Sequence, residues 1–227
     1  MPRYIEFGEW LTGDMEMSDS TEREQRLSKV YSSRSTDDLE KTYDEWAGDY
    51  EEDVFTLGYT VPGVAAGFIG RHVPPGGTTL DAAVGTGALG DILRALDYGD
   101  LTGIDLSEGM MRRAREKGAY RELRRMTLGG PLDFPDDNFD ACFSVGVFTE
   151  GHAPPEALDE LARVVRPGGW MVFSVRADVY EKGGFREKQR ALEEDGRWRL
   201  VRMSGAFTMF PALETSHDGR IFVYQVS

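Results

Sequence analysis

A chain of 227 residues that is 40% hydrophobic and 29% charged has ordinary globular composition and enough length for one full core. Its net charge of −14 argues against nucleic-acid binding, which needs a basic stripe, and no apolar run approaches the roughly 18 residues of a membrane span. A single cysteine, Cys142, excludes an internal disulfide and a cysteine metal cluster; with Glu6 and Glu9 where a secretory leader would be apolar, the default location is cytoplasmic.

In chain order, residues 1–36 precede the fold. Tyr4, Ile5, Phe7, Trp10 and Leu11 stand among acids there, so this piece docks on something, either on the core or on a dimer mate. Residues 18–35 are polar and read as a mobile linker with some helix. Residues 38–55 place Tyr43, Trp46 and Tyr50 at i, i+3 and i+7, one face of a helix. Residues 61–73 read as a helix leading to Pro74-Pro75-Gly76-Gly77, the turn before the first strand.

Residues 78–105 organise the rest. Residues 78–84 are an apolar run of strand length. Gly85-Thr86-Gly87 lets the backbone turn tightly and approach a ligand without Cβ interference. Leu89, Ile92, Leu93 and Leu96 form one face of a helix, and residues 101–105 read as the next parallel strand. Asp105 follows Gly85 by 20 residues, roughly the spacing at which a βαβ nucleotide fold sets an acid on a ribose. Residues 85–90 match G-x-G-x-x-G, a weak pattern by itself. Asp81, four residues before Gly85, faces the place a phosphate would occupy; a carboxylate there repels phosphate and suits an ammonium.

Beyond Asp105, residues 107–117 read as a helix with Ser107 as N-cap. A short third strand falls within residues 120–128. Residues 134–139 form a turn into the fourth strand, 139–145. Leu158, Leu161, Ala162 and Val165 share a face of a helix ended by Arg166-Pro167-Gly168-Gly169. The fifth strand is 170–175, a charged helix spans 184–195, and 197–203 and 221–225 are the last strands. The arginines between 112 and 125 alternate with Glu108, Glu116 and Glu122 and read as a solvated helix face. Acid is concentrated in residues 1–53, whose net charge is −10.

The segments LDAAVGTGALG, GIDLSEGMMRRAREKG, FPDDNFDACFSVGVF and LARVVRPGGWMVFSV resemble, in that order, the motif series of class I S-adenosylmethionine (SAM)-dependent methyltransferases. Four motifs in sequence are far more specific than one glycine string. Among subfamilies, YDEWAGDYEEDV, TLGGPLDFP and VGVFTEGHAP look most like the methyltransferase-like proteins of the Williams–Beuren region. The resemblance covers residues 38–227, the expected methyltransferase domain. It implies an α/β fold: a doubly wound, Rossmann-like sheet of seven mostly parallel strands, closed by an antiparallel hairpin. Residues 1–37 then form an N-terminal helical extension, and in many small-molecule members such helices act as a lid over the active site.

The resemblance implies SAM as cofactor and assigns residues to it. The backbone of Gly85, Thr86 and Gly87 would lie along the amino-acid part, Asp81 would help hold the ammonium, and Asp105 would accept both ribose hydroxyls as charge-assisted bonds. Ala83 replaces a glycine common in the family and adds a methyl group beside the ligand. Leu106 and Met110 would pack around the adenosine, with ordinary core as their alternative role. Tyr43 heads a Y-D-x-W-A motif whose first aromatic packs near the methionine end; core or lid packing is its alternative. The family usually offers an acid to the adenine amine. Residues 125–129 contain none, which leaves Thr127, Leu128 and nearby backbone for that task.

Val145 to His152 leaves the fourth strand at its C-terminal end, where ligands sit in an open α/β sheet. Val145 is assigned to the cofactor. His152 is the natural general base, its ordinary pKa of about 6.5 matching neutral pH; Glu150 could orient it or hold a cationic acceptor. A loop histidine paired with a surface acid is the alternative. Cys142, inside a strand, reads as a small buried apolar residue. His72 and His217 sit in turn-like, exposed contexts. Three scattered histidines without H-x-x-x-H or C-x-x-C give no metal site.

Methyl transfer from a sulfonium is an in-line displacement on an activated carbon, so alignment and exclusion of water do most of the work, worth roughly 7–11 kcal/mol. The first reading is transfer to an O, N or S atom of a small-molecule acceptor. A protein methyltransferase and a non-catalytic SAM-binding subunit are the competing readings.

Overall fold

The computed structural model describes residues 13–227, with side chains from residue 22 onward. Tyr4, Ile5, Phe7, Trp10 and Leu11 therefore lie outside the described residues.

The expected linker is a helix. α1 (Gly13–Tyr31) runs through most of residues 18–35, and only the turn before Ser35 separates it from α2 (Thr36–Trp46), which the Ser35 hydroxyl caps. Polar composition hid it because its stability is tertiary: Val30 is buried, and the Arg26 guanidinium holds the buried Asp53 through bonds of 2.6 and 2.9 Å. Asp53 lies on α3 (Tyr50–Thr56). Residues 38–55 are thus two helices rather than one. The chain turns at Ala47-Gly48-Asp49, yet Tyr43, Trp46 and Tyr50 remain together, with Trp46 and Tyr50 rings 4.8 Å apart. The Trp46 indole donates to Asp53 at 2.6 Å and fixes this turn.

α4 (Val61–His72) leads into β1 (Thr78–Ala82), which is almost wholly buried, as a central parallel strand must be. α5 (Ala88–Ala95), β2 (Asp100–Asp105), α6 (Glu108–Lys117) and β3 (Glu122–Arg125) complete the first winding. β4 (Phe139–Phe148), α7 (Ala157–Arg163) and β5 (Val165–Arg176) form the second. α8 (Ala177–Lys182), α9 (Phe185–Glu194), β6 (Trp198–Met203), β7 (Phe207–Thr208) and β8 (Asp218–Val226) follow.

Strand order is β3-β2-β1-β4-β5-β8-β6, parallel from β3 to β5 and antiparallel at β8 and β6. The expected seven-stranded path is present. The two-residue β7 pairs with β8 as an eighth strand, too short to leave a sequence pattern. β5 begins five residues earlier than expected, because Arg166-Pro167-Gly168-Gly169 bulges within the strand instead of closing the helix before it. Helices cover both faces: α4 and α5 share one apolar cluster with the sheet, α7 and α9 another. Cys142 lies at the centre, fully buried, its strand position paired to Leu80 of β1 and to Met171 of β5.

Candidate active site

The C-terminal ends of β1, β2 and β4 open into a cavity of about 1070 Å³. Its floor is the turn after β1. Gly85 and Gly87 have φ of 54° and 83°, in the left-handed region glycine reaches without strain. Ala83 lies beside them at φ 74°, where a Cβ is disfavoured, and its amide and that of Val84 both donate to the Ile104 carbonyl, at 2.8 and 3.0 Å. The extra methyl group read from the sequence is thus also a point of backbone strain.

Asp105 ends β2 and joins the two halves of the floor. One carboxylate oxygen accepts the Gly85 amide at 2.9 Å, the other the Ser107 amide at 2.9 Å. Burial pushes its pKa up to about 6, against the pull of these amides. Asp81 is 1% exposed and accepts the Tyr120 hydroxyl at 2.6 Å; burial pushes it up to about 7. Two buried carboxylates short of donors face one cavity, and no atom stands within 4 Å of the space a Gly85 Cβ would fill. A zwitterion with an ammonium and a vicinal diol supplies the donors this floor lacks, which SAM carries.

Asp81, Ala83, Gly85, Thr86 and Asp105 all line the cavity, as do Leu106 and Met110 on its α6 side. Thr127 and Leu128 line it too, on a loop without an acid. Gly87 follows at the start of α5, where a Cβ would meet Ala114 at 3.1 Å and the Tyr120 ring at 3.2 Å, so its lack of a side chain lets α5 pack closely on these neighbours.

The roof is α2 and α3, which present Leu39, Tyr43, Tyr50 and Val54 inward. Polar contacts between residues far apart in the chain fasten it at several points. The Asp44 carboxylate accepts the Ser107 hydroxyl at 2.6 Å and the Gly109 amide at 2.8 Å. Glu40 pairs with Arg125, and the Gly48 carbonyl accepts from Arg113 at 3.1 Å. Glu51 accepts the Thr86 hydroxyl at 2.6 Å and pairs with Lys117, which also lies 3.4 Å from Asp91. None of these pairs is periodic in the sequence, so no spacing rule finds them.

The far wall is the end of β4. The ladder to β5 is irregular between Ser144 and Phe148, and the Gly146 amide donates to the Ser174 hydroxyl at 2.7 Å. This bulge turns Val145, Gly146 and Val147 toward the cavity beside Tyr59. His152 follows, half-buried on the cavity wall, with Tyr43 Oη 2.9 Å from its Nε2. Burial pushes its pKa below the ordinary value. Glu150 is placed otherwise than expected. Its carboxylate is exposed and pairs with Arg176 at 2.8 Å, and only its carbonyl meets His152, 2.9 Å from Nδ1. A carboxylate held by Arg176 neither orients His152 nor faces an acceptor. Arg176, 2% exposed, also holds Asp178 at 2.7 Å and lies over the Tyr31 ring. Of the other histidines, His217 is exposed and His72 half-buried at the end of α4.

Residues 80–173 match a methyltransferase domain family. The chain is 36% identical over 163 residues to human methyltransferase-like protein 27, covering 69% of this chain and 66% of that one. It is 34% identical over 167 residues to 2-methyl-6-phytyl-1,4-hydroquinone methyltransferase of Synechocystis, covering 62% and 52%. The chain thus spans between half and two thirds of these relatives. Among solved structures, the putative methyltransferase in complex with the Haloferax volcanii Trm112 activator superposes with a TM-score of 0.59 at 19% identity, covering 81% of this chain and 97% of that one, a likeness of fold.

Proposed function

This chain belongs to the class I SAM-dependent methyltransferases, and we propose that it transfers the SAM methyl group to an O, N or S atom of a small-molecule acceptor. The observation that carries this reading is the roofed cavity. At about 1070 Å³ it has room for a cofactor and a second small molecule, and α2 and α3 roof it with Tyr43 and Tyr50, which suits an acceptor small enough to be enclosed.

SAM supplies a methyl group already activated on a sulfonium. In this reading Asp105 holds the ribose hydroxyls, Asp81 faces the ammonium, and the turn from Ala83 to Thr86 follows the amino-acid part. Leu106, Met110, Thr127 and Leu128 enclose the adenine, and Val145 borders the methyl-bearing end. Tyr43, Tyr50, Tyr59 and His152 surround what remains, which is the acceptor space. The aromatic lining suits an acceptor with an apolar body, in keeping with the hydroquinone named for the Synechocystis relative. In this reading the roof, with α1 packed behind it, acts as the lid that excludes water. The cytoplasm is the setting that the sequence suggests.

Tritiated-methyl SAM with size-fractionated cell extract tests the proposal. Label is expected in the low-mass fraction, and label confined to macromolecules overturns it.

A further inference from the structure

The His152 ring is held from both sides. Nδ1 lies 2.9 Å from the Glu150 carbonyl oxygen and 2.9 Å from Thr149 Oγ1. A carbonyl can only accept, so Nδ1 carries the ring proton. Nε2 is then the basic atom, and it accepts the Tyr43 hydroxyl at 2.9 Å. The lone pair that would make His152 a base is therefore already covered. What the cavity meets beside it is the phenol oxygen of Tyr43, whose second lone pair has no partner among the described residues.

We propose that Tyr43 is the catalytic residue that takes the acceptor's proton, and that His152 is the positioning residue behind it. The acceptor would then be a protic one, a hydroxyl or a thiol. This rests on the methyl-transfer reading. The acceptor's X–H hydrogen-bonds to Tyr43 Oη. As the X lone pair forms the new bond to the methyl carbon, the carbon–sulfur bond breaks and its electron pair stays on sulfur. The X–H proton passes to Tyr43 Oη while the Tyr43 proton passes to His152 Nε2. The imidazolium so formed keeps Nδ1–H on the Glu150 carbonyl. Tyr43 ends the step neutral, so no free phenolate forms in the apolar cavity. A tertiary amine needs none of this machinery, because it has no proton to lose.

The surroundings bear on where that proton can rest. Tyr31 and Tyr43 both set ring edges on His152, at 5.9 and 5.8 Å. Arg176 adds a positive charge nearby, paired to Glu150 and Asp178. Tyr50 packs on Tyr43, and His217 lies beyond Tyr31. Burial and the Arg176 charge both disfavour the imidazolium, while the Glu150 carbonyl on Nδ1–H favours it, so His152 holds the proton only transiently and is ready to pass it on.

The test uses the full chain with three readouts: calorimetry with S-adenosylhomocysteine (SAH), tritiated-methyl transfer into the low-mass extract fraction across pH, and nitrogen NMR of labelled histidine with SAH bound. Wild type should show the Nδ1–H tautomer and a rate that falls on the acid side as His152 protonates. Tyr43→Phe should keep SAH affinity within about twofold and lose about 10²- to 10⁴-fold in rate. His152→Gln should lose rate similarly and also lose the acid limb, which a purely structural role would leave in place. A Tyr43→Phe variant as fast as wild type overturns the relay alone. Loss of SAH affinity in step with rate overturns it too and makes Tyr43 a cofactor contact. A proton on Nε2 overturns it without any acceptor. If wild type labels nothing, methyl transfer itself falls, and the relay with it.

Discussion

The Asp105 carboxylate accepts the Gly85 amide at 2.9 Å, so the end of β2 is tied to the turn after β1 before any ligand arrives. The same bond leaves the acid aimed into the cavity, with the turn's geometry fixed to it. Substituting Asp105 therefore removes a brace and, in the proposed cofactor site, a ligand contact as well. Asp105→Ala should weaken SAH binding by about 3 kcal/mol, or about 100-fold, the loss of two charge-assisted bonds. Asp105→Asn, which keeps an acceptor for Gly85, should fall between the two in calorimetry.

The raised pKa values of Asp81 and Asp105 make binding depend on pH. Both ionise near 3.8 when unfolded, but near 7 and 6 in the folded chain. Between those values the folded state holds more protons than the unfolded one, so these groups lower stability as pH rises. Urea midpoints of the ligand-free chain should show this contribution declining from pH 5 to pH 8. Facing an ammonium, Asp81 must ionise. SAH binding at pH 7 should then release protons, seen as a dependence of the calorimetric heat on buffer ionisation enthalpy, and affinity should fall as pH drops below about 7.

Ala83 sits at φ 74°, where an L side chain costs roughly 1–2 kcal/mol. Glycine removes that strain but makes the unfolded chain more flexible, which takes back about 0.4–1 kcal/mol. Ala83→Gly should accordingly raise stability by about 0.5 kcal/mol in urea unfolding. Ala83→Val, branched at Cβ, should lower it.

Gly90 marks the limit of reading a glycine string as a ligand motif. A Cβ there would collide with the Tyr120 hydroxyl, which donates to Asp81 at 2.6 Å. Gly90→Ala should cost about 1–3 kcal/mol by overpacking. It should also weaken SAH binding by displacing the Tyr120 hydroxyl from the Asp81 carboxylate, measured by urea unfolding and calorimetry on the same sample.

The order of the sheet was legible through the motif series and the family it resembles. Of the elements themselves, β3 is polar and β7 only two residues long, whereas the central strands and helices such as α5 and α7 were also legible in their own right, as short apolar runs between turn residues and as apolar residues repeating at about 3.6. The floor of the site was legible for the same reason: Asp81, Gly85 and Asp105 are placed by strand ends. What was not legible depends on pairs distant in sequence. Tyr120 meets Asp81 across 39 residues and Tyr43 meets His152 across 109, distances at which no periodicity carries information. Glu150 was misjudged because its partner, Arg176, ends another strand. The packing role of Gly87 was not legible because the G-x-G string does not say which glycine leaves room for the next helix. The extent of α1 was not legible because a polar helix pinned by Arg26 and Asp53 has the composition of a linker.

Cys142, central in β4 between β1 and β5, has consequences for the bench. A thiol reagent finds no thiol on the native surface, since this is the chain's single cysteine and it is fully buried. Its neighbours on both sides must part before it can react, so the rate of thiol modification clocks the opening of the sheet itself. A second cysteine engineered on the roof would react at once, which allows one molecule to report lid movement and global unfolding on separate timescales without any other label.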